Sequence, residues 1–294
     1  TANYNTGMGQ GSLQANTTGA ENTATGGQAL QANEEGSYNT AIGRSALYSN
    51  TTADYNTASG YKALYTNTTG EQNTASGFQA LYSNTEGDFN VASGAYALHT
   101  NTTGDRNTAS GFKALYSNDT ASYNTGVGFQ ALYTNDTGAQ NTASGYLALH
   151  LNSTGSYNTA SGYQALYTND TASYNTASGT NALHLNSTGS YNTASGYYAL
   201  YSNTTGGNNT ASGYAALGST TTGSNNTASG YNAGYNITTG SYNLCLGHGA
   251  QPSSATVDDE VVLGDSNIAT LRCNTQTISA LSDARDKTEV EPSP

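Results

Sequence analysis

The apolar positions of this chain recur every seventeen residues rather than with the shorter periods of a helix or a strand. From Asn56 the unit reads Asn-Thr-Ala-Ser-Gly-Tyr-Lys-Ala-Leu-Tyr-Thr-Asn-Thr-Thr-Gly-Glu-Gln, and its first Asn returns at 5, 22, 39 and onward to 243 with no insertion or deletion. With that Asn as position 1, Gly holds position 5 in all fifteen copies, Ala holds position 8 in fourteen, and Leu holds position 9 in thirteen, from Leu13 to Leu217. Position 7 accepts Lys62, Gln79, Tyr96 or Leu147, and position 16 is as free. Loops tolerate changes of length, so a period held this strictly predicts residues in register with their copies in a stacked solenoid. The invariant Gly implies close backbone approach or positive φ. The Leu column predicts a continuous apolar core, and the variable positions face water.

Thr, Asn, Gly, Ser and Tyr dominate each unit, which disfavours a helix. Thr-Ala-Ser-Gly-Tyr reads as a strand with positions 2, 4 and 6 on one face and 3 and 5 on the other. Met8, Ile42, Val127 and Leu246 at position 4 suggest that this face is buried, which turns the position 2 threonines inward. The Ala or Gly of position 3 then offers a surface that allows close approach of something else. Ala-Leu-Tyr predicts a second short strand, and Asn-Thr-Thr-Gly a turn. The expected fold is all-β, a parallel β-solenoid or β-roll of 17-residue coils with about two short strands each. One strand spacing per coil, ~4.8 Å, gives a rod of roughly 67 Å, whereas an extended chain at ~3.3 Å per residue would approach 790 Å. Ladders of identical Asn and Tyr favour the coil.

Composition adds limits. Apolar residues are 35% and charged residues 9%, a balance that suggests disorder until the fixed columns are weighed against it. Net charge is −12 with only seven Lys and Arg, which argues against nucleic acid and anionic membrane surfaces as partners. No apolar run is long enough for membrane insertion. The start at Thr1 without a signal-like segment points to a fragment or processed product. Cys245 and Cys273 are too few for a disulfide framework, and Cys245 in the position 3 column is expected to be buried. His99, His150 and His184 stand in position 10, where Tyr is usual, and His248 in position 6, so all four read as ring-for-ring replacements. No metal-ligand spacing occurs, and no cofactor is implied. Asp119, Asp136 and Asp170, in equivalent turns, read as solvated carboxylates or a weak cation site.

Asn-x-Ser/Thr sequons, among them Asn16, Asn50, Asn67, Asn101 and Asn118, then Asn208, Asn225 and Asn236, mostly coincide with the repeat turn, so turn formation explains them without glycans. The Tyr columns offer faces that could stack on sugars, but read first as stabilising ladders. Ice or mineral binding by the Thr columns requires them to face water, and the inward placement sets it aside. No acid pair, triad or phosphate loop departs from the pattern, which argues against a conventional enzyme, and so uniform a shaft offers no specific pocket.

The Asn-Thr-Ala-Ser-Gly and Asn-Thr-Ala-Ile-Gly segments resemble the shorter repeats of trimeric autotransporter adhesin heads. The longer Asn-Thr-Ala-x-Gly-Tyr-x-Ala-Leu pattern is similar to repeats of bacteriophage tail fibres. These resemblances imply an elongated homotrimer, with the position 3 column at the subunit contact. They also imply a place in the virion tail fibre and host cell-surface carbohydrate as the outside partner. The alternative is an extracellular or cell-surface filament or adhesin of bacteria.

The repeat shaft is assigned to residues 1–250. Residues 251–281 form a β-rich cap with a Gly-Asp-Ser turn, as the open end of a solenoid requires. Residues 282–294 begin with Ser-Asp-Ala-Arg-Asp-Lys, which resembles the opening of the self-cleaving intramolecular chaperone of endosialidase tailspikes. That resemblance makes Ser282 the nucleophile and Lys287 its supporting base. Only seven residues follow Lys287, so the chaperone body is missing.

Overall fold

In the computed structural model, which describes residues 3–268, each copy of the unit makes one coil. Strands β1 (Thr6–Met8) through β15 (Leu244–Leu246) occupy positions 2 to 4 of successive copies, and β16 (Val261–Leu263) follows. All sixteen lie in one sheet in chain order. Pairing is parallel and moves by one repeat: Ala160 lies opposite Ala143 on one side and Ala177 on the other. The molecule is a parallel β-solenoid of about fifteen turns, and no helix occurs among the described residues.

The core is narrow and its columns are few. Ala at position 3, Ala at position 8 and Leu at position 9 are fully buried in coil after coil, as at Ala109, Ala114 and Leu115. The invariant Gly sits where no other residue fits. Gly60 has φ 140°, and a Cβ there would lie 2.3 Å from the carbonyl oxygen of Gly77 in the next coil. This is the close approach and positive φ that invariance implied.

The strand faces the opposite way from the sequence expectation. Position 3 is the inward residue, while positions 2 and 4 point to solvent, as in Thr176, Ala177 and Ser178. Met8, Ile42 and Val127 are accordingly 63%, 48% and 42% exposed. The reason is room: beside Ala at position 8 and Leu at position 9, the interior accepts only a methyl-sized side chain from the strand. The position 3 column is enclosed by its own coil and has no surface to give to a subunit.

Ala-Leu-Tyr is not a second strand either. Residues at positions 7, 9 and 17 take left-handed backbone, as Lys62 (φ 53°), Leu64 (φ 51°) and Tyr55 (φ 60°) do. Such a conformation costs a non-Gly residue about 1–2 kcal/mol. What holds it is the amide direction it produces: Lys62 N–H donates to Arg44 O in the coil before, and Leu64 N–H to Ala80 O in the coil after, both at 3.0 Å. Among the described residues a rudimentary second ladder occurs at position 11, from Ser117 through Thr134 and Leu151 to Thr168.

Beyond the last Asn of the series, β16 continues the sheet. Glu260 takes the Asn place, and its N–H donates to the Asn243 side chain at 3.0 Å. The Gly-Asp-Ser turn follows at Gly264, closed by Asn267 N–H donating to Asp265 Oδ1 at 2.9 Å. The second half of the predicted cap, residues 269–281, lies outside the described residues.

Candidate functional site

Two buried asparagine columns brace the coil. At position 1, the Asn107 side-chain oxygen accepts the Asn124 backbone N–H at 2.9 Å, and Asn124 Nδ2 donates to Gly138 O at 2.9 Å. At position 12, Asn135 Nδ2 donates to Asn118 Oδ1 at 2.8 Å and to Gly138 O at 2.7 Å. Asn152 repeats the pattern one coil on, donating to Asn135 Oδ1 at 2.7 Å. Both amide hydrogens of these sequon residues are engaged inside a fully buried column, so the folded coil has no free amide there to carry a glycan. Asn208, Asn225 and Asn236 are exposed instead. Asp119 and Asp170 each accept a hydrogen bond from a hydroxyl of the preceding coil, Thr102 and Ser153. No group of three His, Cys, Asp or Glu able to hold a metal occurs among the described residues.

Aromatic ladders run along the outside. In position 10, Tyr133, His150 and Tyr167 stack face to face at 5.1 and 5.2 Å, and His99 and His184 stack between tyrosines in the same way. His248 lies 5.2 Å from Tyr231 in position 6. Ring-for-ring replacement is therefore the observed role of all four. Burial holds His99, His150 and His184 below the ordinary imidazole value, with the Lys113 charge adding to it at His99. At His150 and His184 a hydrogen bond to a position 7 carbonyl, Gln130 or Gln164, works against that shift.

Between the position 6 and position 10 ladders runs a groove that the position 7 side chains plug. Lys113, for example, lies 5.5 Å from the Phe112 ring centroid on one side and 5.2 Å from that of Tyr116 on the other. Near the end of the rod the plug is missing. Position 7 becomes Ala215 and position 10 becomes Gly218, and a cleft of about 650 Å³ opens there. Tyr197, Tyr214 and Tyr231 form one wall, stacked at 5.2 and 4.9 Å. Tyr198 lies across one end, 4.4 Å from Tyr197 and 4.7 Å from Tyr201. Tyr235 leans over Gly218 and stacks on no other ring among the described residues. Ser202, Ser219 and Asn232 complete the lining, so the cleft carries no formal charge. Hydrogen bonding to Tyr198 raises the Tyr197 phenol above its ordinary value. The sequence expectation of a pocketless shaft therefore fails here. Its warning signal was the pair of departures, Ala215 and Gly218, within four residues.

A second cleft of about 670 Å³ occupies the same groove at the other end, among Gln10, Gln14, Gln28, Gln31 and Arg44, where the ladders have not yet begun. Cys245 is buried, and burial, reinforced by the Glu260 charge, pushes its thiol up to about 11, which leaves it protonated and inert. Ser282, Lys287 and Cys273 lie outside the described residues. No helix of the described chain is long and apolar enough to cross a membrane. Comparison with protein-family models finds no match, and comparison with curated proteins finds none either.

Proposed function

We propose that the chain is the shaft of a bacteriophage tail fibre, an elongated homotrimer that serves host attachment. What supports the reading is the unbroken sixteen-strand sheet, a rod whose outward strand face is flat, made of small Thr and Ser, and dotted with uncovered apolar side chains. Met8, Ile42, Val91, Val127 and Leu246 all stand on that face, each more than a third exposed in the single chain. The subunit contact belongs on these positions 2 and 4, because the Ala column is enclosed. Identical coils offer many registers to three parallel chains, and a detachable chaperone beyond residue 281 would set one. In that scheme Ser282 Oγ attacks the Leu281 carbonyl while Lys287 takes the hydroxyl proton and returns it to the departing Ser282 amine. The Leu281–Ser282 amide becomes an ester, which water hydrolyses to leave a carboxylate on Leu281, and the lysine can act so only if the body of the chaperone desolvates it. Expression through the natural stop codon tests the reading. A trimer in sedimentation, with a fragment ending at Leu281 that disappears in Ser282→Ala, supports it, and an uncut folded trimer or a compact monomer refutes it. The same rod without the cleavage is what a bacterial surface filament would require.

One observation favours a different reading of the same face. The position 2 threonines face water, thirteen of fifteen copies, about 4.8 Å apart along the rod. A flat regular hydroxyl array of this kind suits ice or a mineral lattice. The two readings exclude each other, since a face buried between subunits cannot meet a crystal. A monomer that holds ice growth, and loses that effect in Thr159→Lys, would select the second.

A further inference from the structure

The cleft at the end of the aromatic ladders comes from a local interruption of the repeat. In every coil from Asn56 to Leu217 but the last, position 10 carries Tyr or His and position 7 carries a side chain larger than Ala. Ala215 and Gly218 remove both in one coil, where Gln and Tyr would complete the pattern. Tyr235, the next residue in the column, leans back over Gly218, so that glycine is buried beneath the ring and the open cleft lies beside it, against the position 6 tyrosines.

We propose that this cleft binds a neutral oligosaccharide of two or three hexose units. Three features carry the assignment. Its volume, about 650 Å³, falls within the ordinary range for small-ligand sites. Its walls are tyrosines, whose rings receive the C–H faces of a pyranose while their hydroxyls stay available to the sugar's own. Its rim supplies short polar groups, Ser202, Ser219 and the Asn232 amide, which suit the mixed donors and acceptors of sugar hydroxyls. No Lys or Arg lines the cleft, and the chain carries a net charge of −12, so an anionic sugar would find no counter-charge. Tyr235 is the contact that matters most. It is 42% exposed and stacks on no other ring among the described residues, and the part of its ring that is not packed over Gly218 is open to a ligand. The inference gives the carbohydrate contact expected from the sequence a place, but it rests on the cleft geometry alone. Failure to bind sugar would leave the cleavage and trimer tests above untouched.

The experiment is saturation-transfer NMR on the full chain with a panel of neutral trisaccharides built from glucose, galactose or N-acetylglucosamine, and sialyllactose as the acidic arm. The control variant fills the cleft by restoring the repeat, Ala215→Gln with Gly218→Tyr, and its melting temperature shows that the rod is intact. A second variant, Tyr235→Ala, removes an exposed ring outside the core. Saturable binding of at least one neutral trisaccharide, weakened about tenfold or more by either variant, is the expected result. No saturable binding across the neutral panel, undiminished binding in both variants, or a preference for sialyllactose would overturn the proposal.

Discussion

The coils between Asn39 and Leu217 and those that follow, to Gly264, differ in how they keep the same fold. In the first group every inner column is continuous: Leu at position 9 and Asn at position 12 never change except where the last coil brings Thr220. In the second group position 9 becomes Gly234, and the core is refilled from another direction. Ile237, at position 12, is fully buried, with its Cδ1 3.4 Å from where a Gly234 Cβ would stand. The amide ladder is given up in exchange: Thr220 donates to Ile237 O at 3.2 Å, and the Asn203 side-chain oxygen below is left without a partner. Each coil answers only to its two neighbours, so volume can pass from one column to another while the total is kept. At Ala215 and Gly218 the refilling is only partial: Tyr235 leans in over Gly218, and a cleft stays open beside it.

This difference can be broken at graded cost. The largest effect is expected from Leu115→Asp in the continuous region, which buries an unpaired charge and should destabilise the rod by about 4 kcal/mol or more. Lys113→Glu, two residues away, should cost about 1 kcal/mol through lost cation–π contact with Tyr116 and Phe112. Equal melting temperatures for the two would remove Leu from the core. Next comes Gly128→Ala, whose Cβ would lie 2.3 Å from the Gly145 carbonyl oxygen at φ 133°, and about 3 kcal/mol is expected. Gly218→Ala meets the ring edge of Tyr235 at 3.0 Å and the Ala215 carbonyl oxygen at 3.1 Å, which a shift of a few tenths of an ångström relieves, and should cost about 1 kcal/mol or less. Chemical denaturation that ranks these glycines the other way would contradict the column description.

The exchange between columns can be tested by a double-mutant cycle. Ile237→Asn alone should cost about 3 kcal/mol by emptying the core, and Gly234→Leu alone should overpack it at a cost of about 2 kcal/mol. The pair restores the common unit and should recover about 2 kcal/mol of coupling. Additive losses would show that the two positions do not share one space. The smallest effect is the pH dependence of the imidazole rungs. Their folded pKa values lie below the unfolded value of about 6.5. The unfolded chain therefore binds more protons, and stability is full above that pH and declines as pH falls through 6.5 toward the folded values. Melting temperatures at pH 7.5 and 5.5 should differ less when His99, His150 and His184 are all replaced by Tyr. An unchanged difference would place the titration elsewhere.

The solenoid, the role of the invariant Gly and the Leu core were legible because strict repetition singles out places where nothing else fits. The facing of the strand was not. Thr, Ala and Ser alternate with little contrast in size or polarity, so the period of two is present but its phase is unmarked, and the apolar residues at position 4 pointed to the wrong side. The left-handed backbone at Leu64 and its copies was hidden for another reason: a branched side chain rarely accepts it, and only the hydrogen bonds of two neighbouring coils make it worthwhile. The cleft needed attention to exceptions rather than to the rule. Ala215 and Gly218 are plain in the sequence, but their effect depends on knowing that positions 6, 7 and 10 share a groove.

Three residues per coil in left-handed backbone mean that an isolated coil is strained and that its relief always comes from the turns above and below. A single turn therefore has no reason to form alone, and the first few must close together before any of them is favourable, as with the costly nucleus of a helix. After that, each added turn meets a finished edge and gains its bonds at once. The chain grows as a one-dimensional crystal does, by accretion on an end face, and it should melt in the same way, from its tips inward.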